Sequence, residues 1–242
     1  MNGLQMIECH LDQTALLRFL RGQGLDHPRH GPDLGYGVHA WLKAAFGDLA
    51  PRPWRLLADR RRPARVLGYG AHGADALREH LRTFGPPQVE AICPPDTIAS
   101  KPMPDWRRGQ RLDFEVLLCP VGRKSGSGIE KDLFLLQADH APDEKLDRAR
   151  IYGDWLQPRL EENGACRVER IWLQGFRRTR QQRKSERIAG QRQIARLERP
   201  EALLAGTLSI EDPAAFSGLL ARGIGRHRAF GYGMLLLKPA TG

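Results

Sequence analysis

Residues 219–239, LLARGIGRHRAFGYGMLLLKP, combine glycines and basic side chains in a pattern that suits phosphate binding. Exposed backbone N–H groups of a glycine-rich turn can form a nest for an anion, and arginine adds a planar fork of donors. The candidate phosphate-binding residues here are Gly223, Gly225, Arg226, His227, Arg228, Gly231 and Gly233. A structural use is equally open, since the first two glycines can end a helix and the last two can let a strand approach another backbone closely.

A nucleotide cofactor is not expected at these glycines. A G-x-G-x-x-G loop follows a strand and opens a helix, so that the pyrophosphate meets the helix N-terminus. Here the pattern predicts a helix before the glycines and the last strand after them. The four cysteines lie far apart, and no carboxylate cluster or His/Cys spacing indicates a metal. We therefore predict neither a cofactor nor a metal.

The charge of the chain indicates a polyanionic partner. Lys and Arg total 38 against 28 Asp and Glu, which gives a net charge of +10. The densest basic segment is residues 176–192, FRRTRQQRKSERIAGQR. Its candidate RNA-binding residues, with two from the first predicted helix, are Arg177, Arg178, Arg180, Arg183, Lys184, Arg18 and Arg21.

Two structures are open for the arginine-rich segment. A hairpin would place alternate residues on opposite faces and could hold both strands of an RNA stem. Paired RNA is recognised mainly by shape and phosphate contacts, and the basic segments contain few aromatic residues for stacking single-stranded bases. A folded stem is therefore the expected ligand. The alternative is a solvated loop in which the like charges repel one another.

Hydrophobic periodicity predicts the same order of elements twice. In the first half we expect a strand at 4–12, a short helix at 13–21 and a second helix at 34–47 that ends on Gly47. Strands at 53–59 and 64–70, a helix at 74–85 and a closing strand at 88–93 follow. The second half follows with strand 111–119, helix 143–162, strands in 166–176 and 193–212, a helix capped by Asp212, and a last strand at 230–237.

These elements predict an α+β protein of two tandem ferredoxin-like, RNA-recognition-motif-like βαββαβ domains. The first domain would span 1–94, a proline-rich linker 95–110, and the second domain 111–242. No apolar run of about 18 residues and no signal peptide is present, so we expect a cytoplasmic protein that does not bind membranes.

The C-terminal half resembles a known family. The stretch GIGRHRAFGYGMLLL, preceded by GTLSIEDP and AAFSGLLAR, and the segment YGDWLQPRLEENGA at 152–165 are similar to the CRISPR-associated endoribonucleases that cut precursor guide RNA at its repeats. The CasE branch, which serves the type I-E Cascade complex, is the most similar. The resemblance implies a repeat RNA hairpin and the mature guide RNA as partners, together with other subunits of a Cascade-type effector. It also implies metal-independent cleavage that leaves a 2′,3′-cyclic phosphate and a 5′-hydroxyl.

In CasE-like enzymes an early helix carries a tyrosine and, three residues later, a histidine, and the resemblance assigns these positions to Tyr36 and His39 in LGYGVHAWLK. A helix would place both, with Lys43, within an arc of about 60°. Lys43 is an inference from this geometry, and Arg18, Arg21 or Arg29 could supply the cation instead. If the helix began only at Val38, the arc would not hold.

The three side chains suit cleavage of RNA by its own 2′-hydroxyl. A neutral imidazole, with an ordinary pKa of about 6.5, can accept the hydroxyl proton, or deliver one to the leaving 5′-oxygen when protonated. The phenol can position the histidine or the phosphate, and the ammonium can offset charge on the phosphorane. We therefore predict a guide-RNA maturation endoribonuclease that stays bound to its product. The alternative is a non-catalytic RNA-hairpin-binding subunit of the same fold.

Overall fold

The computed structural model describes residues 3–27, 31–59, 62–123, 129–141, 145–188 and 191–240, with the backbone alone at 26–27, 31–32, 59, 62, 180–188 and 191–197. The helices are α1 Gln13–Gly22, α2 Leu34–Phe46, α3 Ala74–Phe84, α4 Pro87–Glu90, α5 Leu133–His140, α6 Arg148–Leu160 and α7 Pro213–Arg222. The strands are β1 Gln5–Leu11, β2 Asp26–His27, β3 Gly31–Pro32, β4 Trp54–Asp59, β5 Arg62–Gly70, β6 Ile98–Pro102, β7 Arg111–Leu118, β8 Val121–Arg123, β9 Glu130–Asp132, β10 Cys166–Ile188, β11 Gln191–Ile210 and β12 Leu235–Pro239.

The chain divides into two compact units, each built around one four-stranded antiparallel sheet. The first unit comprises Met1–Pro104, Arg180–Leu197 and Ala229–Gly231, and its sheet has the order β4-β5-β1-β6. The second unit comprises Asp105–Thr179, Glu198–Arg228 and Tyr232–Gly242, and its sheet has the order β10-β11-β7-β12. Both orders are those of a βαββαβ ferredoxin-like fold, so the predicted α+β class and tandem architecture are confirmed.

Alternation of apolar residues builds the core of the first unit. In β1 the side chains of Ile7, Cys9 and Leu11 point inward, as a half-buried strand requires. They pack with buried residues of the helices, among them Trp41 and Phe46 of α2. The sheet is thereby fixed beneath the helix that carries the predicted catalytic residues.

Helix α2 begins at Leu34 because Asp33 caps it. The Asp33 carboxylate accepts a hydrogen bond of 3.0 Å from the backbone N–H of Tyr36. The helix ends before Gly47, which has a φ of 55°. Tyr36 therefore lies inside the first helical turn, and the predicted arc of three side chains is confirmed.

The closing strand of the first unit is not where the sequence pattern places it. Residues 88–93, predicted as a strand, include helix α4, which starts at Pro87 because proline suits the first helical position. The closing strand is β6, which lies inside the predicted linker 95–110. It pairs antiparallel with β1 in a register that sets Cys9 opposite Ile98. Only Ile98 of this strand is buried, so an edge strand with one inward residue shows little periodicity.

The second unit follows its predicted order with different bounds. Helix α7 starts as expected, since the Asp212 carboxylate accepts from the N–H groups of Ala214 and Ala215. Helix α5 was not predicted, and α6 is shorter than the predicted 143–162. The last strand is Leu235–Pro239, whereas Phe230, the first residue of the predicted strand 230–237, belongs to the 3-10 turn Arg228–Phe230. The glycines at 231 and 233, with φ of 90° and 80°, account for the later start of β12.

Candidate active site

Tyr36 and His39 lie together on one side of α2 in the first unit. Their ring centroids are 6.3 Å apart with an interplanar angle of 75°, and both side chains are half-buried. Lys43 lies one turn further along, is exposed, and donates to Asp48 Oδ1 at 3.1 Å. The structure therefore brings the predicted trio to one face but ties the ammonium to a carboxylate.

Phe230 adds a third ring that the sequence analysis did not identify. Its centroid is 5.9 Å from that of Tyr36 in a stacked arrangement, with an interplanar angle of 16°. It lies 5.1 Å from the His39 centroid with an angle of 64°, so the imidazole and phenyl rings meet edge to face. The phenol, the imidazole and the phenyl ring form one cluster, here called the aromatic cluster.

The segment 229–231 is held against β4. The indole N–H of Trp54 donates to the Ala229 carbonyl at 3.2 Å. A Cβ at Gly231 would lie 2.9 Å from Trp54 Cζ3, and one at Gly35 would lie 3.0 Å from the Phe230 carbonyl oxygen. These two glycines permit the close approach that seats Phe230 on α2.

The pKa of His39 is lowered from its ordinary value. Burial of the imidazole is the largest cause, followed by the positive charges of Arg52 and Lys43. At neutral pH the ring is therefore neutral and can accept a proton. Arg52 is exposed and lies just before β4. Arg52 shows no signal in the sequence, because only the fold brings its charge near His39 of α2.

The glycine-rich stretch has a structural use at all four of its glycines, since each has a positive φ and a Cβ at Gly225 would lie 3.0 Å from Trp155 Cη2. Gly223 ends α7 with a φ of 66°, and its N–H donates to the Leu219 carbonyl. The Gly233 carbonyl accepts from the Ile224 N–H, and its own N–H donates to the Leu117 carbonyl; a Cβ at Gly233 would lie 2.1 Å from the Ile224 oxygen. Gly231 packs on Trp54, as described above. RNA binding by Gly223, Gly225, Gly231 and Gly233 stays a prediction.

The basic residues of this stretch contact a carboxylate that the sequence did not single out. Glu130 of β9 accepts from Arg226 Nη1 at 3.1 Å, contacts His227 Nε2 at 2.8 Å, and pairs with Arg199 of β11. Burial works to raise the pKa of Glu130, but bonds from Arg199 and the His227 contact outweigh it and lower that pKa to about 2. Burial and the Arg199 charge lower the pKa of His227. Arg228 donates instead to the Arg222 carbonyl.

The arginine-rich segment forms part of a long hairpin. Strands β10 and β11, of 23 and 20 residues, are neighbours in the sheet, so the backbone follows the hairpin interpretation and not the loop. Arg177 is exposed and pairs with Glu201, and Arg178 is exposed. The predicted Arg180, Arg183 and Lys184 lie in β10 at positions whose side chains are outside the described residues. Arg18 and Arg21 are exposed on α1.

Metal-binding clusters and membrane-spanning helices are both absent from the described part of the chain. Among its residues no group of three or more His, Cys, Asp or Glu side chains could hold a metal ion. No helix in the same part is long and apolar enough to cross a membrane.

A family model described as "CRISPR associated protein" matches residues 9–239 of this chain. No curated protein matches it. Among solved structures, CRISPR endoribonuclease Cse3 bound to a 19 nt RNA is 21% identical with a TM-score of 0.65, over 97% of this chain and 100% of that chain. Thermus thermophilus Cse3 bound to an RNA representing a pre-cleavage complex is 21% identical with a TM-score of 0.63, over 98% and 100%. A chain of a CRISPR RNA-guided surveillance complex is 16% identical with a TM-score of 0.55, over 98% and 100%. At these identities the likeness shows a shared fold.

Proposed function

Because the chain belongs to the family of CRISPR associated proteins, we propose that it is an endoribonuclease that cuts CRISPR precursor RNA within the repeat hairpin. The observation that carries this proposal is the half-buried pair of Tyr36 and His39 on α2, in which the imidazole is neutral at physiological pH. The neutral imidazole offers the proton acceptor that cleavage by an RNA 2′-hydroxyl requires, and the phenol beside it offers a hydrogen-bond donor.

In the proposed reaction the 2′-oxygen forms a bond to phosphorus, and the bond from phosphorus to the 5′-oxygen breaks. His39 accepts the proton of the 2′-hydroxyl, and the leaving 5′-oxygen takes up a proton from water. The products are a 2′,3′-cyclic phosphate and a 5′-hydroxyl, and the reaction needs no metal. General acid–base catalysis of this kind contributes about 10² to 10⁴ in rate.

The cation that offsets charge on the phosphorane is better assigned to Arg52 than to Lys43. Both cations lower the pKa of His39, but Arg52 does so more than Lys43, and only Lys43 pairs with Asp48. A guanidinium also offers paired donors to phosphate oxygens. Tyr36 positions the phosphate or the imidazole.

The RNA stem is proposed to bind the basic residues of the β10–β11 hairpin and of the glycine-rich stretch. Exposed arginines such as Arg178 suit phosphate contacts along a stem. Similar folds occur in Cse3 bound to RNA and in a surveillance complex. On this basis the protein retains its product and joins a Cascade-type effector as a subunit.

The test is incubation with a hairpin repeat RNA in excess chelator. Wild-type protein should cut the RNA, and His39→Ala should cut at least about 10²-fold more slowly while binding it equally well. His140→Ala, which changes an exposed histidine at the end of α5, is the matched control and should cut like the wild type. If the wild type binds the RNA and leaves it whole, the non-catalytic alternative is correct.

A further inference from the structure

We propose that Phe230 is a positioning residue for His39, and that Trp54 fixes Phe230 in place. The inference rests on the proposed function only where it concerns cleavage. Its basis is geometric: one phenyl ring stacks on Tyr36 and meets the His39 ring edge to face, with centroid distances of 5.9 Å and 5.1 Å. A ring in contact with both side chains limits rotation of the imidazole and excludes water from one side of it.

The support beneath Phe230 is rigid. Trp54 is only 2% exposed, and its Cβ lies against Gly68 of the neighbouring strand, so the indole has little freedom. Its N–H donates to the Ala229 carbonyl, and its ring packs on Gly231. The residues on both sides of Phe230 are thus attached to one buried side chain of the sheet. This is the kind of supporting shell that holds a catalytic group within a narrow range of positions.

Three charged or titratable groups face His39: the Lys43 ammonium, the Arg52 guanidinium and the Tyr36 phenol. Of these, Lys43 is paired with Asp48. Removal of the phenyl ring leaves both cations in place and takes away burial, the largest cause of the lowered pKa of His39. The pKa should then move up toward 6.5. A ring that only filled space elsewhere would leave this titration unchanged.

The variants are Phe230→Ala, Phe230→Leu, Phe230→Tyr and Trp54→Phe, where the last removes the indole donor. The control is Phe84→Ala, because Phe84 is 70% exposed and contacts a different histidine, His80, with ring centroids 5.0 Å apart. Two measurements are made: an NMR titration of His39 in the free protein, and kcat and KM for the repeat RNA. Thermal unfolding verifies that each variant is folded, and Phe230→Leu replaces Phe230→Ala if the latter is not.

We expect Phe230→Ala to raise the pKa of His39 and to lower kcat by about 10- to 100-fold, with KM changed less than about threefold. Phe230→Tyr should keep both values near wild type, Trp54→Phe should change both in the same direction as Phe230→Ala, and Phe84→Ala should leave the His39 titration unchanged. An unchanged His39 titration in Phe230→Ala and Phe230→Leu overturns the inference, as does a change in KM alone. Because the titration needs no RNA, an inactive wild type would refute the proposed function, and the titration would still show whether Phe230 acts on His39.

Discussion

Replacement of Glu130 by glutamine should destabilise the protein in a manner that depends on pH. The Glu130 carboxylate is the shared partner of Arg226, His227 and Arg199. The side chain of Arg199 is only 11% exposed and that of Glu130 is 21% exposed, so solvent screens their interaction weakly. Glutamine keeps the shape of the side chain and removes its charge, which leaves the Arg199 guanidinium without its anionic partner.

The pKa of Glu130 gives the size of the effect. Folding lowers it from 4.5 to about 2, and one pKa unit corresponds to about 1.4 kcal/mol. The ionised carboxylate therefore adds about 3 kcal/mol to the free energy of unfolding. Because the folded pKa is the lower one, this stabilisation is complete above pH 4.5 and is lost as the pH falls toward 2. Glu130→Gln should accordingly lose about 2 to 3 kcal/mol at pH 7 and much less at pH 3.

Urea unfolding followed by tryptophan fluorescence at pH 7, 5, 4 and 3 measures the difference between wild type and Glu130→Gln. The matched control is Glu162→Gln, which also removes a carboxylate paired with an arginine in the second unit. The Glu162 and Arg222 side chains are 55% and 43% exposed, so this change should cost less than about 1 kcal/mol. An equal loss for Glu130→Gln at pH 7 and pH 3, or a loss no larger than that of the control, would refute the reasoning.

Three other outcomes are expected. The cleavage rate should rise with pH through an inflection below 6.5, because the pKa of His39 is lowered; an inflection above 6.5 in the pH–rate profile would contradict this. Gly231→Ala should cost about 1 to 3 kcal/mol in thermal unfolding, because its φ is 90° and its Cβ would meet an indole ring, whereas Gly218→Ala, inside α7 with open space around it, should be neutral or stabilising. Arg178→Ala should lower the slope of log K against log salt for hairpin RNA by about 1, whereas exposed Arg107→Ala should leave it unchanged.

Local patterns were sufficient to predict most of the fold. The alternation in β1, the capping of α7 by Asp212 and the end of α2 at Gly47 each depend on a few neighbouring residues, and these elements form where expected. Strand β6 could not be predicted in this way, because its place in the sheet comes from hydrogen bonds to β1 and only Ile98 is buried. Its proline-rich surroundings indicate a linker when viewed alone.

The same distinction applies to the candidate site. Tyr36 and His39 lie three residues apart on one helix, so their proximity follows from helical geometry. Phe230 and Glu130 reach their partners through contacts between distant parts of the chain; Ala229, for example, lies 175 residues after Trp54. Periodicity carries no information about such contacts, and a carboxylate that pairs with three basic groups shows no pattern in sequence.

The position of the segment 229–231 in the sequence, long after α2, determines when the proposed nuclease centre is completed during synthesis. The ribosome releases the chain from its N-terminus, at about 5 to 20 residues per second. Tyr36 and His39 are therefore translated well before Phe230, whose ring covers them. A nascent chain thus contains its β10–β11 hairpin before its aromatic cluster, and the proposed nuclease centre is completed only after Phe230 has been added.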